Sequence, residues 1–308
     1  MNVILRNRIE VREMRYRDLW QRLLSLYDER EAKAIVRLVL EVRFGLTLAE
    51  MLGDIEIRDN RYKIGEEELE NMMCRLEQGE PVQYVLGEAW FCGRRFHVEP
   101  GVLIPRPETE MLVEWAMEDE RLKIKEAPLY PPRRGMNVLD VLDIGTGSGC
   151  IAISLALGLP AASVVAWDVS DAALRIARAN AEQLGAEVSF VKQDALAAPN
   201  DIARWDVIVS NPPYVCASEA AQMEPHVLEH EPHEALFVPD NDALLFYRAI
   251  AQYACRALKP GGRLLFEINP LYAAELSSLL KSMGFAEVEL RDDQFGKCRM
   301  IKTLKIEH

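Results

Sequence analysis

A predicted β-strand ends on a polar and rigid sequence that could act on a planar nitrogen. Four apolar or small residues, 207–210, run directly into Asn211, Pro212, Pro213 and Tyr214. Neither proline can donate to a β-ladder, so the strand must end there. The Asn211 side-chain oxygen and the Pro212 carbonyl can each accept one N–H, and Tyr214 offers a flat face. This arrangement suits an amide or exocyclic amine nitrogen that carries hydrogens.

A glycine-rich loop supplies the second set of candidate residues. Glycines 145, 147 and 149 alternate after a predicted strand and before a predicted helix. The dinucleotide fingerprint GxGxxG fails at Cys150, and the Gly-Lys-Ser/Thr of a P-loop is missing. The spacing resembles the S-adenosylmethionine loop of class I methyltransferases. This resemblance implies S-adenosylmethionine as the cofactor, S-adenosylhomocysteine as its product, and Asp143 facing the methionine ammonium.

Two further acids follow predicted strands. Asp168 lies 21 residues after Gly147 (168 minus 147), where dinucleotide folds place the acid that binds ribose hydroxyls. Its alternative role is to cap the next helix, which Ser170 or Asp171 could do instead. The resemblance places Asp194 at the adenine amino group, and the alternative is a turn aspartate. The residues expected to contact the cofactor are Asp143, Gly145, Thr146, Gly147, Ser148, Gly149, Asp168, Asp194, Ala195 and Asn211.

The Asn-Pro-Pro-Tyr motif resembles two enzyme families. One methylates adenine N6 in nucleic acid, and the other methylates glutamine side chains in proteins. Both substrates present an sp² nitrogen with hydrogens, so these four residues leave both open.

The segment before the glycine loop separates the two families. Residues 96–110, FHVEPGVLIPRPETE, resemble the signature of the release-factor glutamine N5-methyltransferases (PrmC/HemK). The resemblance covers nearly the whole chain and includes PVQYVLGE, EPHEAL and LKPGGRLLFEI. The sister family that acts on a ribosomal-protein glutamine tends to carry serine where this chain has Pro107. Ala195 departs from the family, which often has an aromatic there to cover adenine, and Leu196 is the candidate substitute.

The resemblance implies methyl transfer to the glutamine of the Gly-Gly-Gln motif in peptide-chain release factors. A binding module without catalysis is the non-enzymatic alternative, and the intact motifs count against it. Arg106 and Glu110 could orient the helical domain or the cofactor at the mouth of the site, or form a surface ion pair of little energetic value. The expected catalytic residues are Asn211, Pro212 and Tyr214. The expected substrate-binding residues are Arg106, Glu110, Asn211, Pro212, Pro213 and Tyr214.

Composition narrows the class of partner. The chain has 308 residues, a formal net charge of -13 and a pI near 5.0. Such acidity disfavours binding to phosphate backbones, so we expect no nucleic-acid substrate. The six cysteines are scattered without a CxxC pair, which indicates a reducing compartment. No segment reads as a signal peptide or a membrane span, and we expect a cytoplasmic monomer.

The order of predicted elements gives the fold class. Apolar spacing predicts helices in residues 1–85 and a hairpin and rigid connector in 86–108. The resemblance implies that residues 109–308 form the S-adenosylmethionine-dependent methyltransferase domain. We expect the first of these domains to bind the protein partner. Strands alternate with helices from residue 137, which predicts an α/β fold with a mostly parallel sheet and helices on both faces. The resemblance implies that this is the Rossmann-like sheet of the class I S-adenosylmethionine methyltransferases. The last two strands lack a helix between them, so we expect them to pair antiparallel.

A cluster of histidines suggests a metal site but does not complete one. His226, His230 and His233 lie close together in the sequence, but Pro225 and Pro232 interrupt the region. No fourth ligand is evident. We therefore predict no metal and assign the segment to the wall of the substrate groove.

Overall fold

The computed structural model describes residues 15–53, 65–126 and 139–306. The chain divides into two compact units, Met1–Gly87 and Glu88–His308. Parts of the predicted helical domain lie outside the described residues, as does the start of the strand predicted at residue 137.

The first unit is helical over its described residues. Its amphipathic helices bury one apolar core that includes Leu19, Val36, Leu69 and Leu76. The helices are α1 (Tyr16–Gln21), α2 (Glu29–Phe44), α3 (Leu48–Leu52), α4 (Glu66–Glu77) and α5 (Val82–Leu86).

The second unit begins with a short antiparallel hairpin, which confirms the predicted one. It consists of β1 (Glu88–Phe91) and β2 (Arg94–His97). Cys92 and Gly93 form the turn with φ values of 47° and 70°. The following connector leads into α6 (Pro107–Glu126), which has glutamates in its first turn, where the helix dipole favours negative charge.

A seven-stranded sheet forms the centre of this unit. The strands lie in the order β10-β11-β9-β6-β3-β4-β5. Five of them are parallel, and β11 pairs antiparallel with β10, as predicted, and also with β9. The class I methyltransferase fold is therefore confirmed. The strands are β3 (Leu139–Ile144), β4 (Ala162–Asp168), β5 (Val188–Lys192), β6 (Trp205–Ser210), β9 (Leu258–Glu267), β10 (Phe285–Asp292) and β11 (Cys298–Lys305).

Helices cover both faces of the sheet. One apolar core includes buried residues of the hairpin, α6, α7 (Cys150–Gly158) and α8 (Asp171–Leu184). The other core includes buried residues of α10 (Leu245–Ala257) and α11 (Ala273–Ser282). The mostly apolar central strands, such as β3 and β6, match a parallel sheet that is buried on both faces.

Between β6 and α10 the chain forms small elements that periodicity did not predict. They are β7 (Val215–Cys216), α9 (Pro225–His230) and β8 (Phe237–Val238). The strands β7 and β8 pair in parallel and hold the two ends of this insert together. Elements of two to six residues are too short for a hydrophobic period to be visible.

We predict that Gly149→Ala destabilises the protein more than Gly185→Ala. Both glycines have positive φ, 84° and 68°, so alanine costs about 1–2 kcal/mol at either position. A Cβ at residue 149 would also lie 2.9 Å from Ile153 Cδ1 and 3.1 Å from Ala177 Cβ, whereas nothing lies within 4 Å at residue 185. Urea-unfolding midpoints of the two variants measure this difference. Equal midpoints would show that the loop absorbs the clash.

Candidate active site

A cavity opens at the carboxyl edge of the parallel strands, where ligands of such sheets bind. Segments that follow β3, β4, β5 and β6 line it, together with the connector before α6 and the insert after β6. Its lining residues include Gly101, Val102, Leu103, Gly145, Gly147, Asp168, Val169, Asp194, Ala195, Asn211, Pro212, Pro213, Pro232, Glu234, Ala235, Phe246 and Ile250.

The glycine loop presents bare backbone to this cavity. Gly145 and Gly147 have φ values of 77° and 54°, and no atom lies within 4 Å of a Cβ placed on either. The amides of Gly145 and Thr146 both donate to the Trp167 carbonyl at 2.9 Å, which anchors the loop to β4. A ligand can therefore approach the main chain here without meeting a side chain.

Four predicted cofactor residues support the loop and do not line the cavity: Asp143, Thr146, Ser148 and Gly149. Asp143 is fully buried, and its Oδ2 accepts from Thr146 Oγ1 at 2.7 Å and from the Ala152 amide at 3.2 Å. Burial raises the pKa of the Asp143 carboxyl to about 7. Asp143 therefore links the glycine loop to α7 on the buried side of the loop.

Asn180 is a supporting residue that the sequence analysis missed. This fully buried side chain on α8 accepts from the His97 amide at 2.7 Å. Its Nδ2 donates to the carbonyls of His97 and Ser148, at 3.0 and 2.9 Å. These bonds fix the glycine loop to β2 of the hairpin. The sequence signal that could have identified Asn180 is the presence of a polar residue on the apolar stripe of a predicted helix.

Both predicted strand-end acids line the cavity. Asp168 Oδ2 accepts from the Gly147 amide and Oδ1 from the Ser170 amide, each at 2.9 Å. Burial raises the pKa of the Asp168 carboxyl, while these backbone N–H groups oppose the shift. Asp194 Oδ1 accepts from the Leu196 amide at 2.8 Å and caps a short 3₁₀ turn. Each carboxylate oxygen keeps a lone pair for a ligand.

Apolar side chains flank these acids. Val169 lines the cavity and is 60% exposed, and Phe246 and Ile250 line it from α10. Leu196, the expected substitute for an aromatic, is 48% exposed and does not line the cavity, so its placement does not support that expectation. It falls on a 3₁₀ turn, and α10 packs against that turn with Phe246 toward the cavity.

The strand exit places its amide and its prolines in the cavity and its phenol behind them. Asn211, Pro212 and Pro213 are lining residues, whereas Tyr214 packs against the core under α10. The Tyr214 hydroxyl donates to Glu267 Oε1 at 3.1 Å. Burial, and next the Glu267 charge, raise the pKa of Tyr214.

A buried carboxylate at the end of β9 connects these residues. Glu267 accepts from Tyr214 through Oε1 and from Thr109 Oγ1 through Oε2, at 2.5 Å. Asn211 Nδ2 in turn donates to Thr109 Oγ1 at 3.3 Å. Burial raises the pKa of Glu267, and the two hydrogen bonds oppose the shift. Neither Thr109 nor Glu267 was predicted from the sequence, although an acid that ends an apolar strand was a visible signal for Glu267.

The connector and the insert are joined by a third buried carboxylate. The side chain of Glu231 is fully buried, and its oxygens accept from the Ile104 amide at 3.1 Å and from Arg106 Nη2. Arg106 therefore pairs with Glu231 and does not line the cavity. Glu110 also does not line it and acts electrostatically on Cys92 beside the hairpin turn. The two residues thus do not form the surface pair considered above.

The predicted wall segment does contribute to the cavity. Pro232, Glu234 and Ala235 line it, next to the histidines considered as metal ligands. The His233 ring forms a 2.7 Å hydrogen bond with the Leu228 carbonyl. Its edge-on contact with Phe237 fixes the ring further.

We predict that Glu231→Gln loosens the connector. A glutamine offers one side-chain carbonyl for two donors, and hydrogen bonds to a charged group contribute about 1.5–3 kcal/mol. The Ile104 amide should exchange its hydrogen faster in this variant. The control is Glu229→Gln, an exposed glutamate on α9, the helix that ends just before Glu231. Hydrogen exchange that is unchanged at Ile104 in both variants would contradict the role of Glu231.

Comparison with known proteins identifies the family. The Methyltransferase small domain model matches residues 134–236. The release factor glutamine methyltransferase of Bacteroides thetaiotaomicron is 45% identical over 91% of this chain and 95% of its own length. Its counterpart in Flavobacterium psychrophilum is 42% identical over 92% of this chain and 95% of its own. The chain therefore belongs to the release factor glutamine methyltransferase family.

Proposed function

We propose that the protein transfers a methyl group from S-adenosylmethionine to the side-chain amide nitrogen (N5) of the glutamine in the Gly-Gly-Gln motif of peptide-chain release factors. The observation that carries the proposal is the convergence of the glycine loop, two strand-end acids and the Asn211–Pro213 exit on one cavity. Membership of the family supports the choice of glutamine over adenine.

The donor set of the cavity fits S-adenosylmethionine. Gly145 and Gly147 leave room for the methionine moiety against bare backbone. Asp168 offers lone pairs to the ribose hydroxyls, and Asp194 offers them to the adenine amino group. Val169 and Phe246 supply apolar surface for the adenine ring, which explains how Ala195 can replace the usual aromatic.

The chemistry that the cofactor supplies is an electrophilic methyl group on a sulfonium. The protein must hold a poorly nucleophilic amide nitrogen in line with it. The Asn211 oxygen and the Pro212 carbonyl accept the two amide hydrogens, which orients the nitrogen lone pair and stabilises developing positive charge. The prolines fix this geometry in advance because their φ angles are restricted. The proton can leave after transfer, so the site requires no strong base.

The helical unit is the proposed contact for the release factor. Leu24, Leu26, Leu48 and Leu52 of this unit are 42–68% exposed, and such apolar side chains can bury against a partner. In the described residues no helix is long and apolar enough to cross a bilayer. We propose that the protein acts in the cytoplasm, where its six cysteines remain unpaired thiols.

Methyl-labelled cofactor tests the proposed substrate directly. We expect label on an intact release factor and none on a release factor whose Gly-Gly-Gln glutamine is replaced by alanine. Asn211→Ala should lower the rate by about a hundredfold or more, while cofactor affinity stays within a few-fold. Label on duplex DNA in a parallel reaction would overturn the substrate. A matching loss of cofactor affinity would overturn the role of Asn211.

We predict that Asp168→Asn acts mainly on cofactor binding. The loss of a charged acceptor for the ribose should raise the dissociation constant of S-adenosylhomocysteine by about tenfold to a hundredfold. Titration calorimetry measures this constant, and the rate at saturating cofactor should change little. Asp171→Asn, on the exposed first turn of α8, is the matched control. Equal affinities in the two variants would refute the ribose assignment.

A further inference from the structure

We infer that Thr109 is a positioning residue that determines which end of the Asn211 amide faces the substrate. This inference rests on the proposed function only in that Asn211 must accept a hydrogen from a planar nitrogen. Thr109 lies in the first turn of α6, in the connector that marks the family, and is 3% exposed.

The direction of the hydrogen bonds follows from what each group can donate. A carboxylate only accepts, and Glu267 receives Thr109 on Oε2 and Tyr214 on Oε1. The hydroxyl proton of Thr109 is thereby committed, so its oxygen can only accept from Asn211. The amide must therefore present Nδ2 to Thr109, as the 3.3 Å bond shows.

The planarity of the amide then fixes the other end. With Nδ2 held by Thr109, the Oδ1 atom lies on the opposite branch, and no group within the described part of the chain donates to it. Asn211 lines the cavity, so this oxygen is available to a ligand N–H. Without Thr109, the amide could turn by about 180°. Its N–H groups would then face the N–H groups of the substrate, and two donors cannot form a hydrogen bond with each other.

The series of hydrogen bonds that links Glu267, Thr109 and Asn211 begins in a region that solvent does not reach. Glu267 is 3% exposed, and the Tyr247 hydroxyl donates to its main-chain carbonyl at 3.1 Å. A carboxylate held from two sides cannot rearrange without leaving a buried polar group unpaired, which is energetically unfavourable. Glu267 is thus a fixed acceptor, and Thr109 transmits its polarity to Asn211.

Removal of the hydroxyl tests this role. Thr109→Val keeps the shape of the side chain and should lower kcat by about tenfold to a hundredfold. The dissociation constant of S-adenosylhomocysteine should stay within about threefold of wild type. Thr109→Ser, which retains the hydroxyl, should restore most of the rate. Thr109→Ala is made in parallel because it adds no atom, so the test stands even if valine is not accommodated.

A buried threonine elsewhere in the unit provides the matched control. Thr303 is 1% exposed, and its hydroxyl donates to the Ala286 carbonyl at 2.7 Å, in strand pairing away from the cavity. Thr303→Val should lower the unfolding midpoint but leave kcat unchanged. A rate loss in both valine variants would reduce Thr109 to a structural role. A Thr109→Val or Thr109→Ala enzyme with wild-type kcat would also overturn the inference.

The outcome for Thr109 is separable from that for the substrate. If wild type methylates a release factor and the Thr109 variants do so equally well, the positioning role fails and the function stands. If wild type instead labels adenine in DNA, the proposed function fails. The same variants assayed on that DNA then decide the positioning role, since adenine N6 also donates hydrogens to Asn211.

Discussion

The common level at which the parallel strands end is the constraint on which the site depends. Ile144 pairs with Trp167 of β4 and with Ser210 of β6, so these strands stop side by side. The Ser210 hydroxyl also donates to the Ile144 carbonyl at 2.6 Å, which holds the central pair together at its last residue. Asp168 is the last residue of β4, and Gly145 and Asn211 directly follow β3 and β6. Their proximity is thus a consequence of sheet register.

Buried carboxylates then hold the loops that leave this edge. Asp143 lies beneath the glycine loop, Glu267 beneath the strand exit and Glu231 between the connector and the insert. A buried carboxylate is costly unless donors surround it, so each enforces the presence of the N–H or O–H groups that it receives. Loops that carry a site need such anchors because their own backbone has no ladder to fix it. The buried carboxylates therefore hold these irregular loops in fixed positions around the cavity.

The sequence was sufficient for features encoded locally. The fold follows from alternating periodicities, and the hairpin, the glycine loop and the strand-end acids follow from their neighbours in sequence. Contacts between distant residues were not accessible, since 158 positions separate Thr109 from Glu267 and 127 separate Ile104 from Glu231. Arg106 was singled out, but its partner was not. Glu267 could have been found by the rule that was applied to Asp168, because it too ends an apolar strand at the ligand edge.

The connector joins the wall of the cavity to the side-chain amide of Asn211. Gly101–Leu103 line the cavity, Ile104 and Arg106 bind the insert through Glu231, and Thr109 holds Asn211. One short rigid segment therefore determines both the shape of the groove and the orientation of the acceptor. A substrate that displaced this segment would also disturb the side-chain amide of Asn211, because Thr109 belongs to the same segment. The connector and the strand exit are consequently coupled, because the hydrogen bond between Asn211 and Thr109 links the wall of the cavity to the residue that follows β6.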